Sequence, residues 1–204
     1  RKESSAASDV YKRQADSGID FTHEAFRNQD GTTRILNLWD QTNDRIYSAE
    51  EINEALKSEN PYELVNSVDY SGHGTHVAGI AAGNFAENKN DNLGIATKSS
   101  LVIVKLALAG ERSFPRTTQL MEAVDYMIKV AESYKMPLAM NLSFGNSYGS
   151  HDGTSLISTY LDSMADGRRV SICVGAGNEG DSAGHVGGYV SVSYTHLRAH
   201  ETKA

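Results

Sequence analysis

The chain has 204 residues, a net charge of −7 at neutral pH, 39% hydrophobic and 8% aromatic residues, and one cysteine. That length suits a single hydrophobic core, and the acidic balance argues against a nucleic-acid partner. No stretch approaches the roughly 20 apolar residues of a membrane span, and Cys173, inside an apolar run with no second cysteine to pair with, reads as core.

In chain order, residues 1–14 and 192–204 carry no periodicity that fits their neighbours, so one domain is expected over 15–191. Tyr11-Lys-Arg-Gln-Ala15 stands where an apolar strand would precede Asp16. Thr33–Trp39 reads as a strand. Ser48-Ala-Glu-Glu51 is a capping box that opens a helix through Lys57, with Pro61 as its stop. Val77–Ala82 reads as a short, small-residue helix able to sit deep against other elements. Leu101–Leu106 is a buried strand. Leu120, Ala123, Val124, Met127, Ala131 and Tyr134 mark one face of a long helix. A strand over 137–144, a helix over 154–166 and a strand over 169–174 follow. Near-continuous apolar strands alternating with helices predict an α/β fold, a mostly parallel sheet covered on both faces. Right-handed crossovers then bring the loops bearing Asp16, Ser143 and Asn178 to the strands' C-terminal edge.

The chemistry concentrates in Ser71-Gly-His-Gly-Thr-His-Val-Ala-Gly79. His73 sits between two glycines that allow a tight turn and leave the ring uncovered. An imidazole held there suits a general base, although a turn histidine capping an Ala-rich helix is the plainer alternative. The string resembles the histidine motif of the subtilisin-like serine peptidases. Asp16-Ser-Gly-Ile-Asp20 resembles that family's aspartate motif, and Ser171–Gly180 the strand and loop carrying its oxyanion-hole asparagine, here Asn178. Met140-Asn-Leu-Ser-Phe-Gly145 is similar to the strand end lining the first specificity pocket. Each motif alone has a bland reading; three in order are specific. The 40–69 segment, long beside compact members, resembles the clostridial germination-peptidase-like branch.

The resemblance implies a subtilisin-like three-layer sandwich and a serine-type endopeptidase. Asp16 would orient His73, His73 would deprotonate a serine, and Asn178 would donate to the oxyanion. Removing such a donor costs about 3 kcal/mol, a magnitude that is a known property of subtilisin-type sites rather than a result for this chain. A peptide or protein substrate would lie extended beside Ser143, Phe144 and Gly145 on one side and the Ala109–Ser113 edge, centred on Gly110, on the other. Gly175, Ala176, Gly177 and Glu179 would line the cleft, Glu179 favouring basic or polar side chains. The resemblance implies a bacterial source and leaves extracellular and spore-associated settings open.

The family's nucleophile lies in a Gly-Thr-Ser-x-Ala motif beyond the asparagine, and no such motif follows Asn178. Both chain ends resemble translated sequencing-adapter sequence, so the domain is expected to be a fragment truncated before the nucleophile helix and inactive as it stands. Gly153-Thr-Ser155 is a decoy: Ser155 or Thr154 caps a helix with Leu156, Tyr160, Leu161 and Met164 on one face. Two other classes are weighed. A catalytically dead sensor or binding protein would show a substituted serine in the full gene. A dinucleotide-binding oxidoreductase would use Gly175-Ala-Gly-Asn-Glu-Gly180, but the glycine-rich run after it makes a poor helix for a pyrophosphate. No cofactor or metal is expected. Calcium is the one alternative the resemblance raises, at Glu87-Asn-Lys-Asn-Asp-Asn92, where Lys89 and the lack of a recognisable partner carboxylate favour a solvated loop. His151, Asp152 and His185 are too scattered for a metal site, and His76 is expected to pack beneath the histidine helix.

Overall fold

The structure, a computed structural model, describes residues 11–84, 93–107, 116–143 and 152–178. Its strands are β1 (Tyr11–Asp16), β2 (Ile35–Asp40), β3 (Arg45–Ser48), β4 (Leu101–Lys105), β5 (Leu138–Leu142) and β6 (Val170–Val174). They form one sheet in the order β3-β2-β4-β1-β5-β6. Every pairing is parallel except that of β2 with β3. The periodicity does not reveal β3; it is a four-residue strand preceded by Asp44 at φ 48, a left-handed position that aspartate tolerates.

β4 shows why the sheet has two cores. Leu101 and Ile103 join Phe21, Leu38, Ile52 and Ala78 on one face. Val102 and Val104 join Met127, Ile128 and Met140 on the other. A strand buried on both faces needs this unbroken apolar run. The helices divide accordingly. α1 (Ala49–Ala55) and α3 (His73–Ala82) cover the first face; α4 (Thr117–Ser133) and α5 (Leu156–Ala165) cover the second. The result is an α/β sandwich around a mostly parallel sheet.

Several expectations change. The strand expected to be lost before Asp16 is present: Tyr11–Asp16 runs between β4 and β5 in parallel register with both. Backbone groups make that ladder, so two neighbours can hold a strand whose sequence is not apolar. Whatever the origin of residues 11–14, their backbone completes the sheet. Ser48 and Glu51 do form the capping box. Pro61, however, opens the four-residue helix α2 (Pro61–Leu64) rather than stopping α1, which already ends at Ala55; proline fits a first-turn position because its missing N–H is not needed there. Cys173 is exposed rather than core, since β6 pairs only with β5 among the described residues. Leu156 is exposed too, at the start of α5. The histidine helix is buried on one stripe only, Gly74, Ala78 and Ala82, while Ile80 on its other side is 71% exposed.

Candidate active site

Asp16 ends β1 at the sheet's C-terminal edge with its side chain 3% exposed, and His73 opens α3 with its ring 57% exposed. The two meet: His73 Nδ1 lies 2.6 Å from Asp16 Oδ1. The same oxygen accepts from the Ser17 backbone N–H at 2.7 Å. Facing a carboxylate, which when ionised can only accept, a neutral imidazole in this contact carries its proton on Nδ1 and leaves the Nε2 lone pair available. A buried acceptor behind a half-open imidazole is the arrangement a general base requires.

Two glycines permit the encounter for different reasons. Gly72 precedes α3 at φ 71, a left-handed turn position. Gly74 lies within the helix, and its need is space: a Cβ there would sit 2.1 Å from the Gly18 carbonyl oxygen. The loop after β1 therefore packs directly on the helix backbone at Gly74.

The first turn of α3 leaves N–H groups without intrahelical partners. Side chains satisfy them. Ser71 Oγ accepts from His73 N at 3.1 Å, Ser17 Oγ from Gly74 N at 3.0 Å, and Asp69 from Gly72 N at 3.0 Å and Thr75 N at 2.9 Å. At the other end, buried Arg34 reaches three backbone carbonyls, Ala82 O and Ser99 O at 2.8 Å and Ala25 O at 3.2 Å. Burial pushes its guanidinium down to about 10. An anion at the N-terminus and a cation at the C-terminus both suit the dipole of α3. Asp69, Ser17, Thr75 and Arg34 escape the sequence reading. The legible signal was Asp69 and Ser71, cap-type residues just before a helix.

Other expected site residues share the edge. β1, β5 and β6 are parallel neighbours, so Asp16, Ser143 and Gly175–Asn178 all emerge on the same side. Ser143 is half-buried, and its hydroxyl accepts from Asn141 Nδ2 at 2.7 Å. Gly175 N donates to Leu142 O at 2.9 Å, continuing the β5–β6 ladder into the loop. Ala176 and Asn178 are exposed, and Gly177 takes φ 93. With β5 between them, β1 and β6 stand roughly 10 Å apart, a separation a peptide strand could bridge. Phe144, Gly145, Gly110, Glu179, His151, His185 and the 87–92 loop lie outside the described residues. Ser155 caps α5, accepting from Ser158 N at 3.3 Å, on the opposite face of the sheet from α3. His76 is exposed rather than packed under the helix.

Comparison with known proteins decides the family. Its family model, Subtilase family (Peptidase_S8), matches residues 15–196. The chain belongs to the subtilase family. Subtilases are serine peptidases, hydrolases of peptide and protein substrates. The match runs through Gly175–Gly180, which takes that glycine run into the peptidase fold rather than a dinucleotide site. The major intracellular serine protease of Bacillus subtilis (strain 168) is 33% identical over 113 residues, 55% of this chain and 31% of that protein. The Clostridium perfringens CspB protease structure matches with a TM-score of 0.82 and 40% identity, covering 87% of this chain and 38% of that one. A structure titled S41 psychrophilic protease, at 23% identity and a TM-score of 0.60, shares the fold; the match covers 85% of this chain and 47% of that one. The chain thus spans about a third of the length of the first two relatives. Among the described residues no helix is long and apolar enough to cross a membrane.

Proposed function

We propose that this chain carries the acid–base half of a subtilase endopeptidase site, with Asp16, His73 and Asn178 in the catalytic roles. The observation that supports it is the 2.6 Å contact between His73 Nδ1 and the buried Asp16 carboxylate. In the reaction His73 Nε2 takes the serine hydroxyl proton as Oγ attacks the scissile carbonyl. Asp16 holds the tautomer and stabilises the imidazolium. The Asn178 amide donates to the oxyanion, and the imidazolium then gives its proton to the leaving amine as the C–N bond breaks. The substrate would run beside Ser143, Phe144 and Gly145, with Gly110 opposite and Gly175, Ala176, Gly177 and Glu179 around its first pocket.

No Gly-Thr-Ser-x-Ala motif follows Asn178, so this 204-residue chain is expected to show no turnover and no fluorophosphonate labelling. Fusing it to a related domain's C-terminal segment that contains the serine should create both. His73→Ala in the fusion should then abolish labelling. Asn178→Ala should leave the fold intact and lower kcat about a hundredfold or more. Strong labelling of the unfused chain would overturn these assignments.

A further inference from the structure

Among the described residues, every group hydrogen-bonded to Asp69 is a donor. Oδ1 accepts from Ser17 Oγ at 2.8 Å, Gly72 N at 3.0 Å and, more weakly, Ser71 Oγ at 3.4 Å. Oδ2 accepts from Thr75 N at 2.9 Å and Thr75 Oγ1 at 2.7 Å. Two of these donors are hydroxyls that relay onward to the other half of the site. Ser17, covalently next to Asp16, also accepts from Gly74 N at 3.0 Å, and Thr75 Oγ1 accepts from Asp20 N at 2.8 Å. A hydroxyl has one proton. Ser17 and Thr75 both direct it to Asp69, which leaves their lone pairs for the backbone across the gap. Partial burial pushes the Asp69 carboxyl up, but the bonds from Thr75, Ser17 and Gly72 outweigh it and hold it below its ordinary value.

We propose that Asp69 is a positioning residue, a splint that fixes the end of β1 against the first turn of α3 and so sets the Asp16–His73 contact. The proposal rests on the catalytic reading of that pair. The splint closes a ring: Asp16 to Ser17 through the chain, Ser17 to Asp69 through a hydroxyl, Asp69 to the turn holding His73, and His73 back to Asp16. A carboxylate is required, since an amide would turn an NH2 group towards donors. In either orientation that NH2 would face a backbone N–H that cannot accept, Gly72 N on one side or Thr75 N on the other, and the hydroxyls could accept only by turning their protons away from Asp69.

The test uses the 204-residue chain and needs no nucleophile. The proton between His73 Nδ1 and Asp16 should give a far-downfield NMR signal, and its exchange with solvent reports how tightly the pair is held. Asp16→Asn should remove that signal. Ser17→Ala and Thr75→Val change no charge, and each should speed its exchange about tenfold or erase it, as loss of a charge-assisted hydrogen bond implies. Asp69→Asn should do the same, and amides of β4 and α4 should stay in place throughout. A signal that is absent, or survives Asp16→Asn, would sink the catalytic reading and the proposal with it. Loss in Asp16→Asn but normal exchange in both charge-neutral variants would overturn the splint alone. The splint falls in that case even if Asp69→Asn erases the signal, because the effect would then belong to the charge. Should Asp69→Asn unfold the chain, the two neutral variants decide.

Discussion

Gly74 and Gly79 lie on the same helix and should respond to alanine with opposite signs. Within a helix, alanine is favoured over glycine by about 1 kcal/mol. At Gly79 no atom of the described residues beyond the helix's own backbone lies within 4 Å of where a Cβ would stand, so Gly79→Ala should stabilise the chain by ~0.5–1 kcal/mol. At Gly74 the new carbon would meet Gly18 O at 2.1 Å, Gly18 N at 3.0 Å and Gly18 C at 3.1 Å. Those are backbone atoms, not the end of a flexible side chain. Relieving the clash needs a shift of roughly 1 Å or more between helix and loop, at an overpacking cost of about 1–3 kcal/mol that exceeds the propensity gain. The same shift pulls on the 2.6 Å contact between His73 and Asp16. Urea unfolding followed by circular dichroism would read both effects as changes in midpoint at constant slope. The histidine proton signal would report the local one. If Gly74→Ala proved as stabilising as Gly79→Ala, the close approach of loop and helix would be wrong.

The acid limb of stability should carry an Asp69 contribution. Its carboxyl is held below its ordinary value of 3.8, so between the two values the unfolded chain binds the extra proton. The stabilisation is complete above 3.8 and lost as pH falls through the folded value. Asp69→Asn should therefore lower urea midpoints near neutrality and flatten their fall with acid; parallel profiles would contradict this. Arg34→Met should cost about 3 kcal/mol or more by urea unfolding, because buried carbonyls of Ala25, Ala82 and Ser99 lose a donor. Arg34→Lys, a point charge without the fork, should recover only part of that loss. Ile103→Ala, at a site 1% exposed, should cost ~2–5 kcal/mol; a loss under 1 kcal/mol would mean that this face of β4 is loosely packed.

Much of the fold was legible because its signals are local. The apolar run of β4 and the 3.6-residue stripe of α4 each report their own burial, and both elements appear within a few residues of the expected bounds. What escaped depends on neighbours. β1 has little apolar periodicity, yet pairs with β4 and β5 because hydrogen bonds of the main chain do not depend on side-chain hydropathy. Cys173 reads as core within an apolar run, but exposure depends on what covers β6, and sequence around position 173 says nothing of that. The pairing of Asp69 with Ser17 was invisible for a similar reason. Fifty-two positions separate them, and only the fold makes them partners.

The site's string carried the assignment when the general α/β pattern could not, and the structure gives the physical reason. Five successive residues meet five different demands. Ser71 caps the His73 N–H. Gly72 takes the left-handed turn, and His73 presents its ring to Asp16. Gly74 vacates the space that the Gly18 carbonyl fills. Thr75 links Asp69 to the loop after β1. Helix or strand periodicity can be met by many residues, since only hydropathy and size are tested. Here each position tests a different property, namely a hydroxyl, a positive φ, an imidazole, an absent Cβ and a second hydroxyl. Few substitutions pass all five tests, so a short string becomes specific. On that logic Asp69 and Ser17 belong to the motif as fully as His73 does, because they complete hydrogen bonds that the string only half contains.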